Sequence, residues 1–171
     1  MRHYGLVPET IPKAPGVRAR VRAELTAEIK SSARRQLAAD GAAALSLRAI
    51  AREMNMASSA IYRYFASRDD LLTALIVDAY DSIGSAVEQA DATMQRDNCV
   101  GRFTAIATSI RDWAHTNPHE YALIYGSPVP GYAAPDDTID PAVRVPMALI
   151  SVLVDRWENP DLAPLYSSRD K

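Results

Sequence analysis

Two short helical patterns lie almost back to back between Ser46 and Phe65, and they constrain the fold more than any other feature of the chain. Ser46 stands ahead of LRAIAREM, where its hydroxyl can cap a first helix. Leu47, Ile50, Ala51 and Met54 recur at helical spacing and make one apolar stripe. The period breaks at Asn55-Met56-Ala57 and resumes with Ser58 as a second cap. Ala57, Ile61, Tyr64 and Phe65 then share one face, and Ser59, Tyr62 and Arg63 the other. Two helices of about eight residues joined by so short a turn form a helix-turn-helix candidate.

The flanking patterns are helical as well. Val21, Leu25, Ile29, Ala33 and Leu37 repeat every fourth residue and predict a helix over 17–40, with Gly41 as its stop. Leu71, Leu72, Leu75, Ile76, Ala79, Tyr80 and Ile83 predict another from Arg68 to about Thr93. Ser67 caps it, and Asp69 and Asp70 occupy its first turn, where the helix dipole favours acids. Residues 94–101 read as a turn. Phe103, Ile106, Ile110 and Trp113 mark a further helix ending near Asn117-Pro118, and His119 to Gly126 is a short apolar helical stretch. Residues 126–146 carry five prolines and three aspartates and predict a loop. Val145, Leu149, Val152, Leu153 and Trp157 predict a last helix over 141–157. No stretch alternates with period two long enough to demand a strand, so the expected class is all-α. Residues 1–16, with three prolines and two glycines, predict a flexible arm.

Charge is divided along the chain. Residues 1–70 hold 12 Lys and Arg against 7 Asp and Glu, a net of +5, and residues 71–171 hold 7 against 14, a net of −7. A basic N-terminal part suggests that this end meets a polyanion. The single cysteine, Cys99, excludes a disulfide framework and suits a reducing, cytoplasmic compartment. No apolar run approaches the roughly 18 residues of a membrane span. His115 and His119 are four apart, but Pro118 interrupts the helix and no third ligand is evident, so no metal site is expected. The chain contains no nucleophile elbow, P-loop, dinucleotide fingerprint or HExxH motif, so neither an enzyme nor a bound cofactor is expected.

A helix fits the major groove of B-DNA, and side chains near its start reach base edges. Ser58, Ser59 and Ala60 are small enough for close backbone approach, the serine hydroxyls can bond several base edges, and Ala60 can touch a thymine methyl. Tyr62 and Tyr64 offer hydroxyls. Arg63 offers a fork suited to phosphate, and Arg48 one suited to guanine. Ser46 and the amides behind it can hold a phosphate, and Arg68 can clamp the backbone. The competing reading is an α-helical protein-interaction module whose basic face meets an acidic partner.

The run SLRAIAREMNMASSAIYRYFASRDDLLTAL, Ser46 to Leu75, with AADGAAAL before it, resembles the DNA-binding domain of the tetracycline-repressor (TetR) family of bacterial regulators. The stretch YALIYGSPVPGYAAP, Tyr121 to Pro135, is similar to one C-terminal subtype of that family. The resemblance implies a helix-turn-helix domain over 17–67 and a helical ligand-binding and dimerisation domain over 68–171. It implies a homodimeric repressor that reads a near-palindromic duplex operator and is released by a small apolar or amphipathic effector. Carried over by position, Arg48, Ser58, Ser59, Ala60 and Tyr62 are expected to contact bases, and Ser46, Arg63, Tyr64 and Arg68 to contact phosphates. The position of Tyr64 is often histidine in the family. The two helices that usually end the fold are not evident before Lys171, leaving an incomplete C-terminal end or an unusual dimer contact. Phe103, Ile106, Ile110, Trp113, Tyr121, Tyr125, Met147 and Ile150 are the expected pocket walls, although aromatic stripes at helical spacing also build plain core.

Overall fold

The computed structural model describes residues 16–158, so the arm proposed for residues 1–16, Gly16 excepted, lies outside the described residues, as does the tail from 159 onward. The described residues are all-α. They form α1 (Val17–Asp40), α2 (Leu47–Glu53), α3 (Ser58–Ile61), α4 (Arg68–Ala92), α5 (Cys99–Thr116), α6 (Pro118–Tyr125) and α7 (Ile139–Glu158), with short 3₁₀ turns at 42–44 and 136–138. None of these helices is long and apolar enough to cross a membrane.

α1 stops where Gly41 takes a φ of +77°, a left-handed value that glycine adopts without steric cost, and the Gly41 N–H closes the last turn on the Leu37 carbonyl at 3.1 Å. Ile29, Ala33 and Leu37 of α1 meet Leu47, Ile50 and Ala51 of α2, Ile61 and Phe65, and Leu71, Leu72, Leu75 and Ile76 of α4 in one core. Each Leu, Ile or Phe side chain among them contributes about 1.5–3 kcal/mol on burial. Val21, placed on the apolar stripe by its spacing, is exposed, because the first turns of α1 run past the end of this core. The Ser67 hydroxyl accepts from the Asp70 N–H and the Asp70 carboxylate accepts from the Ser67 N–H, both at 3.0 Å, a reciprocal cap that fixes where α4 begins.

α4 serves two cores. Its second half supplies Ala79, Ile83 and Val87 to a cluster with Cys99, Ile106 and Trp113 of α5 and Val145 and Val152 of α7. A boundary at residue 67 therefore falls where α4 starts, while the first turns of α4 still complete the N-terminal core. Gly84 lets α7 close on α4, since a Cβ there would lie 2.8 Å from Nε of Arg144. That guanidinium binds Asp81 at 2.8 Å and Glu88 at 2.7 Å.

α7 starts at Ile139, so the loop expected through residue 146 ends at residue 138, and two of its five prolines belong to the helix. Pro141 sits in the first turn, where the missing N–H has no partner to lose. Pro146 lies inside the helix, and burial of Val145 and Val152 on either side of it offsets the lost backbone bond.

Candidate nucleic-acid interface

The frame of the site is built from local bonds. The Ser46 hydroxyl caps α2 by accepting from the Ala49 N–H at 3.4 Å, and the Ser46 N–H donates to the Gln36 side chain at 3.2 Å. At the other end of α2, Asn55 takes a left-handed φ of +52°. The Asn55 N–H donates to the Arg52 carbonyl at 3.2 Å and the Met56 N–H to the Ala51 carbonyl at 2.8 Å, the paired bonds of a Schellman stop. Asparagine tolerates this conformation and alanine does not. Asn55→Ala is expected to destabilise the fold by about 1–2 kcal/mol, with Asn55→Gly within about 0.5 kcal/mol of wild type, as read by urea denaturation.

α3 is shorter than its pattern predicts and starts differently. Ala57, at φ −60° and ψ 135°, is the residue that precedes the helix, and no side chain caps it, so Ser58 is the first helical residue and not a cap. The α-helical part ends at Ile61. Beyond it the Arg63 and Tyr64 N–H groups reach back only three residues, to the Ala60 and Ile61 carbonyls at 3.2 and 2.9 Å. The segment has only the span between the Asn55 turn and the Ser67 cap in which to form, which leaves room for little more than one turn.

Burial divides this turn into two sides. Ile61 is 0% exposed and Phe65 is buried, whereas Tyr62 is 44% exposed and Ser58, Ser59 and Arg63 lie open, with Ala60 half-buried. Arg48 is exposed on α2. Among the described residues, no hydrogen bond or ion pair occupies the side chains of Arg48, Ser58, Ser59, Tyr62 or Arg63. Binding can therefore engage these groups without breaking internal bonds. The other proposed contacts belong to the frame. Ser46 caps α2. Arg68 donates to the Ala42 carbonyl at 2.9 Å and pairs with Asp69 at 3.1 Å. Tyr64 is half-buried, with the Arg22 guanidinium 5.3 Å from its ring centroid.

Arg22 is absent from the contacts predicted by sequence. Besides lying over Tyr64 it donates from Nη2 to the Arg63 carbonyl at 2.9 Å. The only sequence signal was the basic run Arg18, Arg20, Arg22, and spacing does not say which of the three turns toward α3. A second missed frame joins α1 to α2: Glu53 accepts from Ser32 at 2.6 Å and pairs with Arg35 at 2.6 Å. These hydrogen bonds, that from Ser32 foremost, hold the Glu53 carboxyl below the usual glutamate range.

The eight proposed pocket residues do not share one cavity. Ile106 is core, and Ile110 is half-buried beside it. Trp113 is buried, donates to the Ser82 hydroxyl at 2.9 Å, and edges a broad open groove between α4 and α5. Phe103, Met147 and Ile150 are about half exposed on α5 and α7. Tyr121 and Tyr125 are partly exposed on α6, 5.1 Å apart by ring centroid, and Tyr125 meets Tyr80 edge-on at 6.0 Å. A more enclosed apolar cavity of about 500 Å³ lies between α4, α6, the 126–138 segment and the start of α7. Ile76, Tyr80, Leu123, Ile124, Val129, Tyr132 and Val143 line it. Tyr80 donates to the Ile124 carbonyl at 3.1 Å and Tyr132 shares a 2.9 Å bond with Thr73, so the polar tips are already satisfied. His115 and His119, four apart in sequence, stand on different helices, α5 and α6.

A buried apolar anchor behind an open polar turn, set against a capped partner helix, is the geometry of a helix-turn-helix unit. The chain belongs to the tetR family of bacterial regulatory proteins. Residues 29–75 match the model described as bacterial regulatory proteins, tetR family, and residues 103–165 match that of the tetracyclin repressor-like C-terminal domain. The HTH-type transcriptional regulator Rv1816 of Mycobacterium tuberculosis is 49% identical over 162 residues, covering 91% of this chain and 69% of that protein. The crystal structure of SCO4313 superposes with a TM-score of 0.73 at 36% identity, covering 91% of this chain and 76% of that one. The TetR-family regulator PfmR of Thermus thermophilus shares the fold at a TM-score of 0.63 and 16% identity, over 81% of this chain and 75% of that one.

Proposed function

We propose that the protein is a cytoplasmic, ligand-responsive repressor that binds a near-palindromic duplex operator as a homodimer and is released by a small apolar or amphipathic molecule. The observation that carries the reading is the open, unbonded front of α3, with Ile61 sealed behind it. Ser58, Ser59, Ala60, Tyr62 and Arg48 contact bases, while Arg63 joins Ser46, Tyr64 and Arg68 on the phosphates.

Dimerisation falls to α7. Ile139, Val143, Met147, Ile150, Leu153 and Trp157 recur at three- and four-residue spacing and are all at least two-fifths exposed, Trp157 reaching 87%. An open apolar stripe of this length marks a protein contact.

The effector enters the cavity beside Tyr80 and Tyr132. Its α4 and α6 walls are both tied to the DNA-binding unit, because Arg34 of α1 binds Asp78 of α4 and Glu120 of α6, each at 2.8 Å. An effector that favours a different spacing of α4 and α6 shifts the unit away from its DNA-binding posture, to the extent of its differential affinity for the two states.

The test is a gel shift on the intergenic DNA adjacent to the gene. Arg48→Ala and Tyr62→Ala should each weaken specific binding by about 1–3 kcal/mol with the far-ultraviolet CD spectrum unchanged. Wild-type affinity in both variants rejects these contacts, and binding indifferent to DNA sequence and to salt favours a protein-interaction module instead.

A further inference from the structure

The geometry points to Arg22 of α1 as a positioning residue that locks the recognition turn from behind its C-terminal end, an assignment that rests on the DNA-binding reading of α3. After Ile61 the chain leaves the α-helix, so the carbonyls of the closing turn lack helical partners. One of them, that of Arg63, accepts from Nη2 of Arg22 at 2.9 Å. A cation at this end also opposes the negative pole of the turn. The same guanidinium covers the Tyr64 ring at 5.3 Å, within the range of a cation–π contact. One side chain thus fixes the backbone of Arg63 and the ring of Tyr64 together, and both residues follow directly on the open face.

A helix of one turn cannot hold its own direction, because too few internal bonds close it. Ile61 and Phe65 anchor its apolar side, and the Schellman stop at Asn55 fixes its entry. At the exit the Arg63, Tyr64 and Phe65 N–H groups close on the Ala60 and Ile61 carbonyls, but the Arg63 carbonyl has its partner in Arg22, 41 residues earlier in the chain. A planar fork can hydrogen-bond and stack at once, whereas an ammonium cannot do both with the same geometry.

The test compares Arg22→Met and Arg22→Lys with the full-length wild type on two probes: a duplex that the wild type selects from a random-sequence pool, and poly(dI-dC). Positioning predicts that Arg22→Met binds the selected duplex about tenfold more weakly, the size of one charge-assisted hydrogen bond. It also predicts a clearly smaller loss on poly(dI-dC), where the Arg63 and Tyr64 phosphate contacts loosen but no base contact is misplaced, with an unchanged salt slope, an unchanged CD spectrum, and no more than partial recovery in Arg22→Lys. A direct phosphate contact would instead lower the slope by about 0.9 per contact, weaken both probes alike, and be restored in full by lysine. Any equal loss on the two probes, or wild-type affinity in Arg22→Met, overturns the assignment. If the wild type itself selects no duplex and binds poly(dI-dC) without salt dependence, the DNA-binding reading falls first and the positioning role with it.

Discussion

Arg102→Ala is expected to lower the free energy of unfolding by about 3–5 kcal/mol. Arg102 is 2% exposed, yet it carries a full charge at the meeting of α4, α5 and α7. Its Nε and Nη2 grip both oxygens of Asp91 at 2.7 and 2.9 Å, Nη1 binds Asp155, and Nη2 also reaches the Ser151 hydroxyl at 3.2 Å. Truncation removes every one of these bonds and leaves two carboxylates facing a void. The pair as a whole is worth far less than that loss, because its own desolvation offsets most of the attraction. Arg102→Met combined with Asp91→Leu and Asp155→Leu, which leaves neither carboxylate behind, should therefore be closer to wild type than Arg102→Ala, which urea denaturation will read directly. Acid adds a second check. The Asp155 carboxyl is held below the ordinary aspartate range, first by the Arg102 hydrogen bond and then by Arg96 against the opposing effect of burial. A lowered folded-state pKa gives stability that is present above the ordinary value of about 4 and is lost as pH falls through the folded-state value. The gap between wild type and Arg102→Ala should narrow between pH 7 and pH 3. A gap that stays constant, or a loss at pH 7 below about 1 kcal/mol, contradicts this account.

Signals that act within one turn were legible in the sequence, and signals that act across the fold were not. Ser46, Ser67 and Gly41 mark helix ends through bonds spanning at most four residues, and each sits where its chemistry predicts. The Ile61 and Phe65 spacing identified the buried side of α3 correctly. Ser58 misled because a serine is equally acceptable as a cap and as a first-turn residue, and only the Ala57 backbone decides between them. Spacing places the last helix within two residues of its start, and only the loop reading runs on to residue 146, because prolines break helices in general but not in the first turn. Nothing in the spacing singles out Arg22, Arg102 or Arg144, because each has a partner 41 to 63 residues away that only the fold brings into contact. The residues proposed as pocket walls are spread over separate surfaces for a related reason. Phe103 and Ile106 lie three apart on α5, yet one is half exposed and the other fully buried, and helical spacing cannot say which neighbour covers which residue.

Ile61→Ala and Ser59→Ala, two residues apart on α3, should separate stability from recognition. Ile61 is 0% exposed and packs into the core shared by α1, α2 and α4. Its truncation leaves a cavity bounded by three well-anchored helices that cannot collapse into it, so the expected loss is about 2–5 kcal/mol. Because α3 has one turn and its direction depends on that anchor, the folded fraction of Ile61→Ala should also bind the selected duplex more weakly than poly(dI-dC) binding alone would predict. Ser59 is exposed, and no hydrogen bond within the described residues holds its hydroxyl. Its replacement should leave stability within about 0.5 kcal/mol and, on the base contact proposed for its hydroxyl, still reduce affinity for the selected duplex. Thermal and urea unfolding give the first quantity, and fluorescence anisotropy with labelled duplex gives the second. If Ser59→Ala destabilised the fold as much as Ile61→Ala, the open side of α3 would be a structural surface, and the division of this turn into an anchor and a reading face would be wrong.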